Sequence, residues 1–92
     1  MRLPCIMIQM QNKYSPSERA FLISIGQNIK NFRKKDHISQ EELADLACID
    51  RSYLGGVERG ERNISAINLQ KIANALHVDT RKLLTISKVK NP

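Results

Sequence analysis

Four times between residues 38 and 83, an apolar residue is followed by Ser or Asp, three further residues and a Leu. The runs are Ile38-Ser39 to Leu43, Ile49-Asp50 to Leu54, Ile64-Ser65 to Leu69 and Val78-Asp79 to Leu83. This is the spacing of a helix start. The Ser or Asp accepts hydrogen bonds from the first free amides, and the apolar residue before it packs on the fourth helical residue. Glu42 stands three residues after Ser39 and completes a capping box. A further start precedes these. Ser15 suits the N-cap, Pro16 the first helical position, and Glu18 completes a second box. Phe21, Leu22, Ile25, Ile29 and Phe32 then recur at helical spacing. Lys34 and Lys35 follow at the end where the helix dipole favours cations. The pattern predicts an all-α fold, with helices over 16–34, 40–46, 51–59, 66–76 and 80–86.

The flanks differ. Ile6, Ile8 and Met10 alternate with Cys5, Met7 and Gln9, a weak strand-like signal. Residues 1–14 are read as a flexible N-terminal extension, mobile or docked on a partner; the alternative is a disordered leader with the true start at a later Met. Residues 15–86 are read as the folded domain and 87–92 as a frayed tail. The opening MRLPCIMIQM is too short and interrupted for a signal peptide, and no run reaches the apolar length of a membrane span. A cytoplasmic protein is expected.

Composition narrows the picture. A chain of 92 residues suits one domain, and 41% apolar residues suffice for one small core. With no Trp and 4% aromatics, a helical core of Leu, Ile and Ala fits better than a sheet. Lys and Arg total 15 against 9 acids, a net charge of +6. That charge suits a polyanion partner, although a soluble basic protein without one has the same balance. Cys5 and Cys48 form no CxxC pair, and with His37 and His77 they give no metal-ligand spacing. No catalytic triad or phosphate-binding loop is suggested, so neither an enzyme, a cofactor nor a small-molecule ligand is expected.

The second and third predicted helices are joined only by Ala47 to Asp50, which suggests a helix-turn-helix; an ordinary helical hairpin is the alternative. On a helical wheel of residues 50–59, Leu54 and Val57 share the core face, with Ile49 leading in. Ser52, Gly55, Gly56 and Arg59 lie opposite, with Arg51 on the rim. Each glycine costs a helix interior about 1 kcal/mol relative to Ala. An outward face of small residues beside arginines would bring the backbone close to bases in a major groove, where Arg can bond guanine O6 and N7. The alternative is that the glycines allow close packing against another helix. Gly60 is expected just past the helix, in the left-handed C′ conformation.

The run Ser39-Gln40-Glu41-Glu42-Leu43-Ala44, Ile49-Asp50-Arg51-Ser52-Tyr53-Leu54, Val57-Glu58-Arg59-Gly60, Arg62-Asn63-Ile64-Ser65, Leu69, Ile72-Ala73 and Leu76 resembles the phage-repressor (Cro/C1, or XRE) helix-turn-helix family. The likeness covers about residues 22–86. Within that family, Asp50 to Tyr53 followed by Glu58-Arg59 and Arg62-Asn63 is most similar to the controller proteins of restriction–modification systems. The resemblance implies a compact five-helix domain that binds a double-stranded DNA operator as a homodimer and regulates its own and the endonuclease gene. It places Gln40 on a phosphate, bracing the recognition helix. Arg51, Ser52 and Gly55 fall at base-reading positions. Tyr53, Arg59, Arg62 and Asn63 would hold the backbone or read groove shape. Ala44 matches the small residue where the two helices cross. Cys48 departs from the pattern, since many members place Gly or Asn in that turn.

Other surfaces carry further expectations. Ile67, Leu83, Leu84 and Ile86 exceed what such short helices can bury in one small core, and are expected at the dimer interface; the alternative is that they close the monomer core. Glu41 and Asp45 lie four apart on one helix face. The resemblance suggests an activation surface there, with RNA polymerase as partner; a merely solvated face is the alternative. Arg33, Lys34 and Lys35 are read as flanking phosphate contacts or a solvated helix end. Three functions stay open: an operator-binding regulator, an antitoxin or prophage repressor on the same scaffold, and a protein-interaction module without DNA function.

Overall fold

In a computed structural model, the residues described are 14–86, and they form five helices. These are α1 (Pro16–Lys35), α2 (Gln40–Ala47), α3 (Arg51–Glu58), α4 (Ala66–Leu76) and α5 (Thr80–Leu83). The extension expected at 1–14 and the tail expected at 87–92 fall, but for Tyr14, outside the described residues.

Each start forms as its capping chemistry dictates. Ser15, Ser39, Asp50 and Ser65 accept from the amides of Glu18, Glu42, Tyr53 and Asn68. Both capping boxes close, through Glu18 and Glu42. Asp79 instead accepts from the Arg81 amide and pairs with its guanidinium, which holds the Asp79 carboxyl down at about 2. All four paired leucines, Leu43, Leu54, Leu69 and Leu83, are buried, and Ile38, Ile49, Ile64 and Val78 pack on the core they form with Ile25, Ile29 and Ile72.

The exits are equally regular. His37, Cys48 and His77 are left-handed, with φ of 59°, 58° and 59°. Their amides bond back to the carbonyls of Lys34, Asp45 and Asn74. The next amides, of Ile38, Ile49 and Val78, reach the carbonyls of Arg33, Ala44 and Ala73. These are Schellman turns. One apolar residue therefore closes the helix before it and staples the helix after it. Three of the four connections to α2, α3, α4 and α5 are such minimal links. After α3 the left-handed residue is Gly60, φ 76°, as expected, but Glu61, Arg62 and Asn63 intervene before Ile64.

Two expectations are corrected. Phe21 belongs to the apolar periodicity of α1, yet it is 43% exposed and outside the core. The last helix stops at Leu83 rather than 86, because the Asn28 amide takes the carbonyls of Leu83 and Thr85 at 2.9 and 2.8 Å and draws the chain onto α1.

A further glycine sets the fold. A Cβ on Gly26 of α1 would strike the carbonyls of Val57 and Glu58 at the end of α3. Because those are backbone atoms, Gly26→Ala is expected to lower stability in urea unfolding by about 1–3 kcal/mol despite the better helix former. Unchanged stability would mean that α1 can shift off α3. Cys48→Gly is expected to act oppositely, removing a left-handed strain of about 1 kcal/mol, less the entropy glycine loses. A lower urea midpoint would show that the cysteine side chain contributes more than the strain costs.

Candidate nucleic-acid interface

The α2–turn–α3 pair is short and tightly crossed. Ala44 is 1% exposed where the helices meet, and Leu54 and Val57 bury the inner side of α3. The carbonyl end of α3 is fixed from α1. Gly26 meets it directly, and a Cβ on Gly60 would lie 2.8 Å from Ile23 Cα.

The strongest polar contact lies at the same place. Arg33 Nε donates to Glu58 Oε2 at 2.7 Å and Nη2 to Oε1 at 2.9 Å. The two side chains are 10% and 2% exposed. Arg33 Nη1 also donates to the Ile38 carbonyl at 3.0 Å, and Gln40 Nε2 to Glu58 Oε1 at 2.9 Å. The Glu58 hydrogen bond raises the Arg33 pKa further, against the opposing effect of burial. Arg33 is thus neither a phosphate contact nor a solvated helix end. It joins α1, the first connector and α3, while Lys34 and Lys35 stay exposed.

The outer face of α3 divides in two. Arg51 and Ser52 in its first turn are exposed, with no side-chain hydrogen bond among the described residues. The glycines do not form the open face that the wheel suggests. A Cβ on Gly55 would lie 3.2 Å from Arg59 Nη1 and 3.5 Å from Gln40 Oε1, and Gly56 lies beneath the stem of Arg62. Both are buried, Gly55 under Arg59 and the Gln40 side chain of α2, Gly56 under Arg62 of the following loop. The Arg62 guanidinium sits 5.5 Å from the Tyr53 ring centroid, and Tyr53 Oη accepts from Asn68 Nδ2 at 3.3 Å. Arg59 pairs with Glu61 at 3.2 Å in the open, where such a pair is worth little. Asn63 is exposed beside Arg62.

Residues 29–83 match the HTH_3 helix-turn-helix family model. The chain belongs to this family. It is 39% identical over 67 residues to control protein C.SmaI of Serratia marcescens, covering 73% of this chain and 80% of that protein. The restriction–modification controller protein C.AhdI of Aeromonas hydrophila is 48% identical, with a TM-score of 0.66 over 67% of this chain and 94% of that one. The N-terminal DNA-binding domain of SinR from Bacillus subtilis is 38% identical, with a TM-score of 0.66 over 71% and 96%.

In helix-turn-helix terms, the residues predicted for DNA fall into two neighbouring groups. Gln40, Gly55 and Arg59 meet at one side of α3, and Tyr53 and Arg62 at the other, with Arg51 and Ser52 free in its first turn. Glu41 and Asp45 are exposed on α2. Ile67, Leu84 and Ile86 are 62%, 38% and 53% exposed. Leu83 is corrected: at 0% exposure it closes the monomer core and has no surface to offer a partner.

Sequence reasoning missed Arg33, Glu58, Gly26 and Asn68 as structural partners of the site. A charged pair distant in sequence leaves no periodic trace. A weak signal existed for Glu58, whose neighbours Leu54 and Val57 are both inward. Glu58→Ala is expected to cost about 3–5 kcal/mol, since it strands a buried guanidinium. A melting temperature within a few degrees of the unchanged protein would show that Arg33 finds water instead.

Proposed function

We propose that this protein is a sequence-specific DNA-binding transcription regulator, the controller of a restriction–modification system acting on its own and the endonuclease promoter. The observation that carries the reading is the exposed, unengaged first turn of α3, a helix whose inner side is buried in the core and whose last residue is tied to Arg33. The net charge of +6 and the likeness to control protein C.SmaI support it. Arg51 and Ser52 enter the major groove and meet base edges, while Gly55 gives its room to the Arg59 and Gln40 side chains that cover it. Gln40 commits one amide hydrogen to Glu58 and keeps the other for a phosphate. Tyr53, Arg59, Arg62 and Asn63 hold the flanking backbone, supplying affinity and register rather than sequence preference.

The protein acts in the cytoplasm as a homodimer, and among the described residues no helix is long and apolar enough to cross a membrane. Ile67, Leu84 and Ile86 form the dimer surface, and the two α3 helices read half-sites about one DNA turn apart. Genome context separates this reading from its neighbours: adjacent methyltransferase and endonuclease genes support a controller, whereas a toxin gene favours an antitoxin.

Arg51→Ala is expected to weaken specific binding by about 1–3 kcal/mol and to relax preference at one base position. Sequences selected from a random duplex library report this directly, and an unchanged preference removes Arg51 from the base-reading set. Glu41 and Asp45, directed along the DNA, form a contact for RNA polymerase at the adjacent promoter. The double change Glu41→Gln and Asp45→Asn is expected to keep or modestly raise operator affinity, as repulsion from phosphates falls, while reducing activation in purified transcription. Full activation at matched operator occupancy would exclude that face.

A further inference from the structure

Gly56 is buried although it lies outside the hydrophobic core, and Arg62 is what covers it. A Cβ built on Gly56 would lie 2.5 Å from Arg62 Cγ and 3.3 Å from Cδ. The arginine stem therefore occupies the volume that any other side chain at position 56 would fill. Beyond the stem, the guanidinium carbon lies 5.5 Å from the centroid of the Tyr53 ring. Tyr53 is three residues before Gly56 and so shares its side of α3. The ring is held in turn by Asn68 of α4, whose Nδ2 donates to the hydroxyl at 3.3 Å. Arg62 is exposed, and no acid pairs with it among the described residues. Glycine disfavours the helix relative to alanine, so α3 forgoes stability at this position and receives a seated arginine in exchange.

We infer that Gly56 is a positioning residue for DNA recognition: its missing side chain is the seat that holds Arg62 against Tyr53, with the guanidinium presented beside the recognition helix before DNA arrives. This rests on the regulator reading above. A free arginine loses rotamer freedom when it is ordered on binding, and one already laid along α3 loses less. An alanine methyl group at position 56 evicts the stem, because Arg62 Cγ belongs to a movable side chain whereas the helix backbone cannot yield.

The test uses the full chain, its Gly56→Ala and Arg62→Ala variants and the double variant, with duplexes that the unchanged chain enriches from a random library. Gly56→Ala is expected to melt at or above the temperature of the unchanged chain, yet to bind the enriched duplex roughly five- to tenfold more weakly. In the Arg62→Ala background the same change is expected to alter binding by less than about twofold, because the residue it acts through is gone. In the free protein, the Arg62 side-chain proton resonances, displaced by the Tyr53 ring, are expected to move toward those of an unpacked arginine in Gly56→Ala. A lowered melting temperature makes Gly56 a packing glycine and overturns the inference. So does undiminished binding, or an equal loss with and without Arg62, which would place Gly56 against the DNA itself. Unmoved Arg62 resonances overturn the seat without reference to DNA. If the unchanged chain enriches no duplex, the regulator reading fails instead, and the resonances still decide whether position 56 seats Arg62.

Discussion

The Arg33 guanidinium is the point from which the DNA-facing half of the molecule is hung. Its bidentate bond to Glu58 ties α1 to the last residue of α3, and its third bond fixes the Ile38 carbonyl in the connector leading to α2. Gln40, two residues further on, completes the set by donating to the same carboxylate. An eight-residue helix such as α3 has little stability of its own, so its orientation must come from what it touches. Leu54 and Val57 supply the apolar part of that contact, but apolar packing is not directional. A planar guanidinium meeting a carboxylate in two parallel bonds is directional. A buried ion pair contributes little net stability over an apolar substitute of the same shape. What it contributes here is the angle of α3 and the aim of Gln40. Gly26 and Gly60 make the pair reachable, since a side chain at either position would hold α1 away from α3.

A second constraint governs the connections. Three links use one formula: a left-handed residue, an apolar residue, then a Ser or Asp cap. The apolar residue satisfies a carbonyl of the helix behind through its amide and the core ahead through its side chain. Little in such a link is free to vary. The link after α3 alone is longer, and its added residues, Glu61, Arg62 and Asn63, are all exposed and polar. The extra length is thus placed where the scaffold faces outward beside α3. Its exit repeats the backbone pattern, with the Gly60 and Glu61 amides on the carbonyls of Val57 and Gly56, and side chains brace the rest, through Arg62 on Gly56 and Tyr53, and Arg59 with Glu61.

Much of this fold is legible in the residues, because its determinants are local. Caps act within three residues, and staples within five. Hence all five helix starts and the inward leucines follow from the sequence. The left-handed turn at Cys48 shows as a departure from the family pattern for the same reason. What escapes is non-local. Asn28 shortens α5 from 55 residues away, and Arg33 reaches Glu58 across 25. Leu83 is expected on a surface because the last two helices look too short to bury all their apolar residues in one core, yet α5 packs against both α1 and α4 and Leu83 is fully buried. The site is legible in its first turn, where Arg51 and Ser52 stand exposed as the wheel predicts.

The glycines show where such a wheel stops being informative. It reports correctly that positions 55 and 56 face away from the core residues Leu54 and Val57. It treats everything outside the core as solvent, however, and a chain that turns back after a short helix covers that outer side with its own next residues. Gly60 makes the turn possible and Gly56 receives what the turn brings back. Two glycines four residues apart are therefore one device, a reversal and its landing place, and the identity of the second depends on the length of the loop between the reversal and Ile64. A shorter link of the kind used elsewhere in this molecule would leave no Arg62 to seat, and α3 would then lose the helix propensity of an alanine at position 56 for nothing.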